Sequence, residues 1–202
     1  MKILKYVLYA ILALIVLYLL LGFIKPEVGY GAEIVVDKPV EEAWAVSQDE
    51  TKYPEWLEGF KSMELLSGDK FQEGSTYKII VNPGDGQQDF EMIETLKSIK
   101  ENESIEMEFD ADGMNFYQTM SFNEADGKTT IKTDSKVVGK GMMMRSMFAM
   151  MEMFGGGFTK QEVKNMEALK KLINENTTDY FPEPEVADST IMEAIMEEAA
   201  EQ

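Results

Sequence analysis

The sequence predicts an α+β fold: a curved antiparallel sheet wrapped around a long C-terminal helix, preceded by a single transmembrane helix. Three observations carry that expectation. Residues 6–24 form an uncharged apolar run. Between about residue 60 and residue 138 the chain repeats strand-like segments, several alternating apolar and polar residues, separated by turn dipeptides. Residues 159–174 then place apolar side chains at helical spacing. A strongly bent antiparallel sheet needs such a body on its concave face.

The apolar run reads YVLYAILALIVLYLLLGFI. At about 1.5 Å of rise per residue it spans ~28 Å, close to the hydrocarbon thickness of a bilayer. It has no polar face, which argues against a buried core helix. A cleaved signal peptide is the rival reading. Its apolar region is shorter, roughly 7–15 residues, and leads to a small-x-small site. Here Lys25-Pro26-Glu27 follows directly, so an uncleaved span is expected. Lys2, Lys5 and the amino terminus flank one side, and Lys25 the other. The positive-inside rule then predicts a single-pass membrane protein whose domain lies on the extracytoplasmic side.

After the anchor, residues 30–37 alternate weakly and turn apolar through Ile34-Val35-Val36, which makes a strand. Pro39 suits the first turn of a helix, where its missing N–H costs nothing. Val40, Ala43, Trp44 and Val46 form that helix's buried stripe. Tyr53-Pro54-Glu55-Trp56-Leu57 is a short helical turn. Strands follow at 60–68, at 74–82 with Tyr77, Ile79 and Val81 on one face, and at 90–99 with Phe90, Met92 and Leu96 in register. Glu94 falls in that same register. Segment 104–112 sets Ile105, Met107, Phe109 and Ala111 against Glu106, Glu108, Asp110 and Asp112. Asp112-Gly113 and Asp126-Gly127 mark hairpins on either side of a strand with Met114, Phe116, Gln118, Met120 and Phe122 on its inward face. The last strand, 128–138, aligns Thr129, Ile131, Thr133, Ser135 and Val137.

A helix over 142–154 holds seven of the chain's 16 Met, and Gly155-Gly156-Gly157 interrupts it. Thr159-Lys160-Gln161-Glu162 reads as a capping box for a second helix. That helix carries Val163, Met166, Leu169, Leu172 and Ile173 on its apolar side. Residues 180–186 read as extended, and 191–200 as a short acidic helix. The expected division is a flank at 1–5, a transmembrane helix at 6–24, a linker at 25–29, the domain at 30–174 and an acidic tail at 175–202.

Composition narrows the chemistry. The 202-residue chain has a formal net charge of -18. All 37 acidic residues follow the anchor, with 17 of the 19 basic ones, so that part stands at -20. Such a domain repels phosphate backbones, and no nucleic-acid partner is expected. There is no Cys and no His. Cys nucleophiles, Ser-His triads and ordinary zinc sites are excluded. The Glu106-to-Asp112 acids read as a solvated face, with no full calcium loop. Neither a metal nor a cofactor is expected.

Several stretches together resemble a known superfamily. They are Ile34 through Trp44 (IVVDKPVEEAW), Asp49 with Tyr53-Pro54-Glu55-Trp56, the Gly68…Glu73-Gly74 spacing, and the Leu169-Lys170-Lys171-Leu172 run. Over about residues 30–174 the chain resembles the START-like superfamily, also called SRPBCC or polyketide cyclase/dehydrase-like. The resemblance implies a helix-grip fold with a deep apolar cavity between sheet and helix. It also implies ligands such as lipids, sterols, polyketides, quinones or hormones, and enzymatic activity in some members. Two features depart from the pattern, the lack of His and the Met cluster before the final helix.

The resulting expectation is a membrane-anchored binding module for a hydrophobic, lipid-like small molecule. Its cavity would be lined by Tyr77, Phe116, Gln118, Met120, Thr133, Met143 and Met147. Met fills irregular space, so the Met cluster reads as a deformable wall or gate hinged at Gly155–Gly157. Plain packing and a membrane-facing surface are the alternatives. Trp44 and Trp56 read as anchors of core and turn. Glu94 is the acid/base candidate, because a buried unpartnered carboxyl has a raised pKa. Two other functions stay open: a cyclase- or hydrolase-type enzyme using that carboxylate, and a protein-interaction module using the acidic surface or tail with an unknown partner.

Overall fold

The computed structural model of the chain describes residues 2–182 apart from 83, 85 and 87. The apolar run forms α1 (Lys2–Ile24), which starts earlier than the uncharged stretch because nothing in its first turn breaks a helix. It is long and apolar enough to cross a membrane. Next come β1 (Val28–Val36), α2 (Val40–Gln48), a 3-10 turn (Glu50–Lys52) and α3 (Tyr53–Trp56). Six strands follow: β2 (Phe60–Ser67), β3 (Thr76–Val81), β4 (Phe90–Lys100), β5 (Ser104–Ala111), β6 (Met114–Ala125) and β7 (Lys128–Gly139). Two helices, α4 (Met142–Gly155) and α5 (Gly157–Asn174), complete the domain.

All seven strands join one antiparallel sheet in the order β1-β7-β6-β5-β4-β3-β2. Strands β2 to β7 form a meander, while α2 and α3 carry the chain from one sheet edge to the other. The alternation seen in sequence sets the register. Thr129, Ile131, Thr133, Ser135 and Val137 are all buried, and a one-residue slip would turn the whole set outward. Register shifts between Leu65 and Ser67 and between Leu96 and Ser98 mark irregularities of the kind that bend strands.

Helix α5 packs against β1, α2 and α3. Its buried residues are Glu162, Met166, Leu169 and Ile173, whose spacing follows one helical stripe. Val163, expected on that stripe, is exposed instead. The expected Thr159–Glu162 capping box does not form, because Glu162 points into the interior. Glu152 of α4 caps α5 in its place, accepting from the backbone N–H groups of Phe158 at 3.0 Å and Thr159 at 3.4 Å. Gly156 makes this sharp join possible with φ of 58°, a left-handed conformation.

Two apolar clusters fill the interior. One joins Ile34 and Val36 to Ala43, Val46, Met166, Leu169 and Ile173. The other joins Val28 and Val137 to Phe148 and Ala149, with Leu21, Tyr30 and Phe158 against it. The second cluster ties α1 to the domain. Gly22 is buried against α4, where a Cβ would collide with Ser146 Oγ. Nearby, the Tyr18 hydroxyl donates to the Met143 carbonyl at 3.0 Å.

Residues just past α5 fold back on α2. The Asn176 amide donates to Glu42 Oε1 at 2.9 Å, and the Tyr180 hydroxyl donates to Asp49 Oδ2 at 2.7 Å. The start of the expected tail therefore docks on the domain. The acidic helix expected at 191–200 lies outside the described residues.

Candidate functional site: a cavity between sheet and central helix

A cavity of about 230 Å³ opens between the concave face of the sheet, α3 and α5. Its sheet wall is the inward register of β2 to β6, including Met63, Ile79, Met92, Met107, Phe109, Phe116 and Met120. Period-two alternation puts these on one face. Tyr53 and Trp56 of α3 and Glu162 and Asn165 of α5 form the helical side. Pro54 sits in the first turn of α3, so the Tyr-Pro-Glu-Trp sequence directs both aromatic rings inward.

Two carboxyls enter this apolar lining from different elements. Glu94 of β4 is 5% exposed, and no hydrogen bond from a described residue reaches its side chain. Burial first, and the negative charge of Glu50 second, push its pKa up to about 7. The neighbouring Tyr53 hydroxyl is held well above the usual phenol range, chiefly by burial and further by the Glu94 charge.

Glu162 of α5 is 8% exposed and is hydrogen-bonded. Gln118 Nε2 donates to Glu162 Oε1 at 3.1 Å and to Ser135 Oγ at 3.1 Å. Burial raises the Glu162 pKa, and the Thr133 side chain partly opposes that rise. The Trp56 indole N–H is also buried and has no acceptor among the described residues. Among the described residues, the one other charged member of the lining, Glu58, is an exposed group paired with Lys164. No Lys or Arg among the described residues lines the cavity.

The expected site residues divide into two groups. Phe116, Gln118, Met120 and Glu94 line the cavity. Tyr77, Thr133, Met143 and Met147 do not. Tyr77 is buried behind the wall, where its hydroxyl accepts from the Phe71 backbone N–H at 2.7 Å. The Thr133 hydroxyl accepts from the Ala32 N–H at 3.1 Å. Met143 and Met147 sit on α4 with 70% and 40% of their surface exposed. The Met-rich helix is therefore not part of the cavity lining: it packs against α1.

Sequence reasoning missed Glu162, Tyr53 and Phe109 as lining residues and took Trp56 for a turn anchor. The signal for Glu162 was present, since it continues the spacing of Met166, Leu169 and Ile173.

Residues 30–173 match the model of the family described as polyketide cyclase / dehydrase and lipid transport. No curated protein matches the chain in sequence. Among solved structures, a protein from Thermus thermophilus is similar with a TM-score of 0.60 at 11% identity, covering 75% of this chain and 100% of that one. A conserved protein from Geobacillus kaustophilus has a TM-score of 0.56 at 19% identity, covering 72% and 93%. Norcoclaurine synthase from Thalictrum flavum, in complex with dopamine and hydroxybenzaldehyde, has a TM-score of 0.53 at 14% identity, covering 76% and 90%. At these identities the three structures carry the fold, which is the helix grip: a seven-stranded sheet closed over α5. With the family match spanning most of the domain, the chain belongs to the polyketide cyclase/dehydrase and lipid transport family.

Proposed function

We propose that the protein is a binding module for a hydrophobic small molecule, held in the cavity between sheet and α5. In this reading α1 anchors it in a membrane, with the domain on the extracytoplasmic side. One observation carries the reading: an apolar hollow into which only a few polar groups converge, the usual anatomy of a ligand site. At about 230 Å³ it lies below the roughly 300–1,000 Å³ of drug-sized sites. The ligand is accordingly compact, a ring system or the end of an acyl chain. The apolar face of α1 and its flanking Lys2 and Lys5 support the anchoring.

Native mass spectrometry of the full chain released from detergent tests this. A bound apolar species is expected on the wild type and depleted on Met92→Trp, which fills the cavity. A chain that retains no small molecule from any membrane extract would overturn the reading.

A second reading is favoured by one observation, the burial of Glu94 on the cavity wall with a pKa near 7. That value suits a general acid or base at neutral pH. Incubating the extracted ligand with wild type and with Glu94→Gln separates the two readings. A chemical change in the ligand that requires Glu94 supports catalysis, whereas unchanged ligand leaves binding alone.

A further inference from the structure

The charge inside the cavity says more about the ligand than the volume does. Glu94 and Glu162 reach the same hollow from the sheet and from the central helix, and both are more than nine-tenths buried. Among the described residues, no basic side chain accompanies them in the lining. Glu162 is partly satisfied by the Gln118 amide. Glu94 is not satisfied by any described group, although it faces the cavity. A buried carboxyl without a partner is costly, and a protein ordinarily retains one only where something else completes it. The rest of the lining suits the same visitor. Tyr53, Trp56 and Phe116 offer aromatic faces, which attract organic cations. The net charge of -20 on the part of the chain after the anchor adds a field that draws cations in and keeps anions out.

We propose that the cavity takes a small apolar amine, bound as its ammonium ion, with Glu94 as the principal anionic partner and Glu162 as the second. The hydrocarbon body of the ligand lies against Phe116, Met92 and Trp56. This inference rests on the binding reading above and sharpens it. A fatty-acid carboxylate or a phosphate headgroup is the wrong ligand here, since it would set its own negative charge against two buried carboxyls with no basic group beside them among the described lining residues.

Isothermal titration of the full chain in lipid nanodiscs with three one-ring probes tests the proposal. The probes are cyclohexylmethylamine, cyclohexylmethanol and cyclohexanecarboxylate, nearly equal in size and different in charge. The amine is expected to bind at least tenfold more tightly than the alcohol, and the carboxylate more weakly than either. Glu94→Gln is expected to erase the preference for the amine over the alcohol. Glu162→Gln, a second variant that keeps the side chain's shape, is expected to reduce it. Equal binding of amine and alcohol, or tighter binding of the carboxylate, overturns the amine proposal and leaves the apolar-binding reading standing. Failure of all three probes to bind overturns both. An amine preference that survives in both folded variants also overturns the assignment.

Discussion

Gln118 Nε2 donates to Glu162 Oε1 at 3.1 Å, so a single amide joins the sheet to the central helix inside the cavity. The same nitrogen reaches Ser135 Oγ at 3.1 Å. Replacing Gln118 by Leu keeps the apolar volume but takes the amide donor from the buried Glu162 carboxyl and the Ser135 hydroxyl. Stranding such groups costs about 1–3 kcal/mol, more where one is charged. Urea denaturation of Gln118→Leu should show a loss in that range. A loss below about 0.5 kcal/mol, the scale of an ordinary surface substitution, would mean that Glu162 does not depend on this bond.

The raised pKa of Glu94 makes stability depend on pH. In the unfolded chain its carboxyl titrates near its ordinary value of 4.5, and in the folded protein near 7. The folded state therefore holds the proton more tightly. Glu94 is best tolerated below pH 4.5, and stability falls as pH rises through 7. The full difference is on the order of 3 kcal/mol. Denaturation midpoints at pH 5 and pH 8 should diverge for the wild type and converge for Glu94→Gln. An unchanged pH dependence in the variant would place the titration elsewhere, with the buried Glu162 as the next group to test.

Gly22 lies where α1 crosses α4, and a Cβ there would come within 2.6 Å of the Ser146 backbone nitrogen. Gly22→Leu should push the two helices apart while the sheet and α5 stay folded. Cleavage after Glu27 by a glutamate-specific protease, beside the join, reports the change. It should be several-fold faster in the variant, and an unaltered rate would show that the two helices separate readily in the wild type.

Tyr180 donates to Asp49 Oδ2 at 2.7 Å, closing residues 176–181 over α2. Burial raises the Asp49 pKa, but hydrogen bonds from Thr51 and Tyr180 outweigh it and hold the carboxyl below the usual range. Tyr180→Phe should cost about 0.5–1.5 kcal/mol, the worth of one hydrogen bond. Hydrogen exchange should show residues 176–181 opening before the rest of the domain. Unaltered exchange in the variant would mean that ring packing alone holds the segment.

Most of the sheet was legible because period two is a local signal. Ile105, Phe109 and Ala111 are buried, while Glu106 and Asp110 face out, as their alternation requires. The Asp126-Gly127 hairpin was equally plain, since both residues adopt positive φ. The cavity was legible only in part. Phe116, Gln118 and Met120 share an inward face, but alternation does not say where along a strand the face meets a helix and where it meets a hollow. Tyr77 and Thr133 occupy the same inward registers as lining residues and are covered by packing instead. Glu162 was hidden by a local motif, because Thr-x-x-Glu reads as a helix start until the distant Glu152 takes that role. The Met-rich helix was misassigned for a similar reason. Composition showed that α4 is apolar, but not that its buried side meets α1 and Phe158.

The close seat of α1 on α4 bears on how the domain is presented. Lys25, Pro26 and Glu27 alone separate the end of α1 from β1, and Leu21, Gly22 and Tyr18 are engaged by the domain. A long unstructured tether would let a domain swivel and sample every azimuth. Here, turning α1 about its own axis would drag the sheet with it. The domain therefore presents one fixed aspect along the length of α1. The cavity keeps a constant bearing relative to the axis of α1.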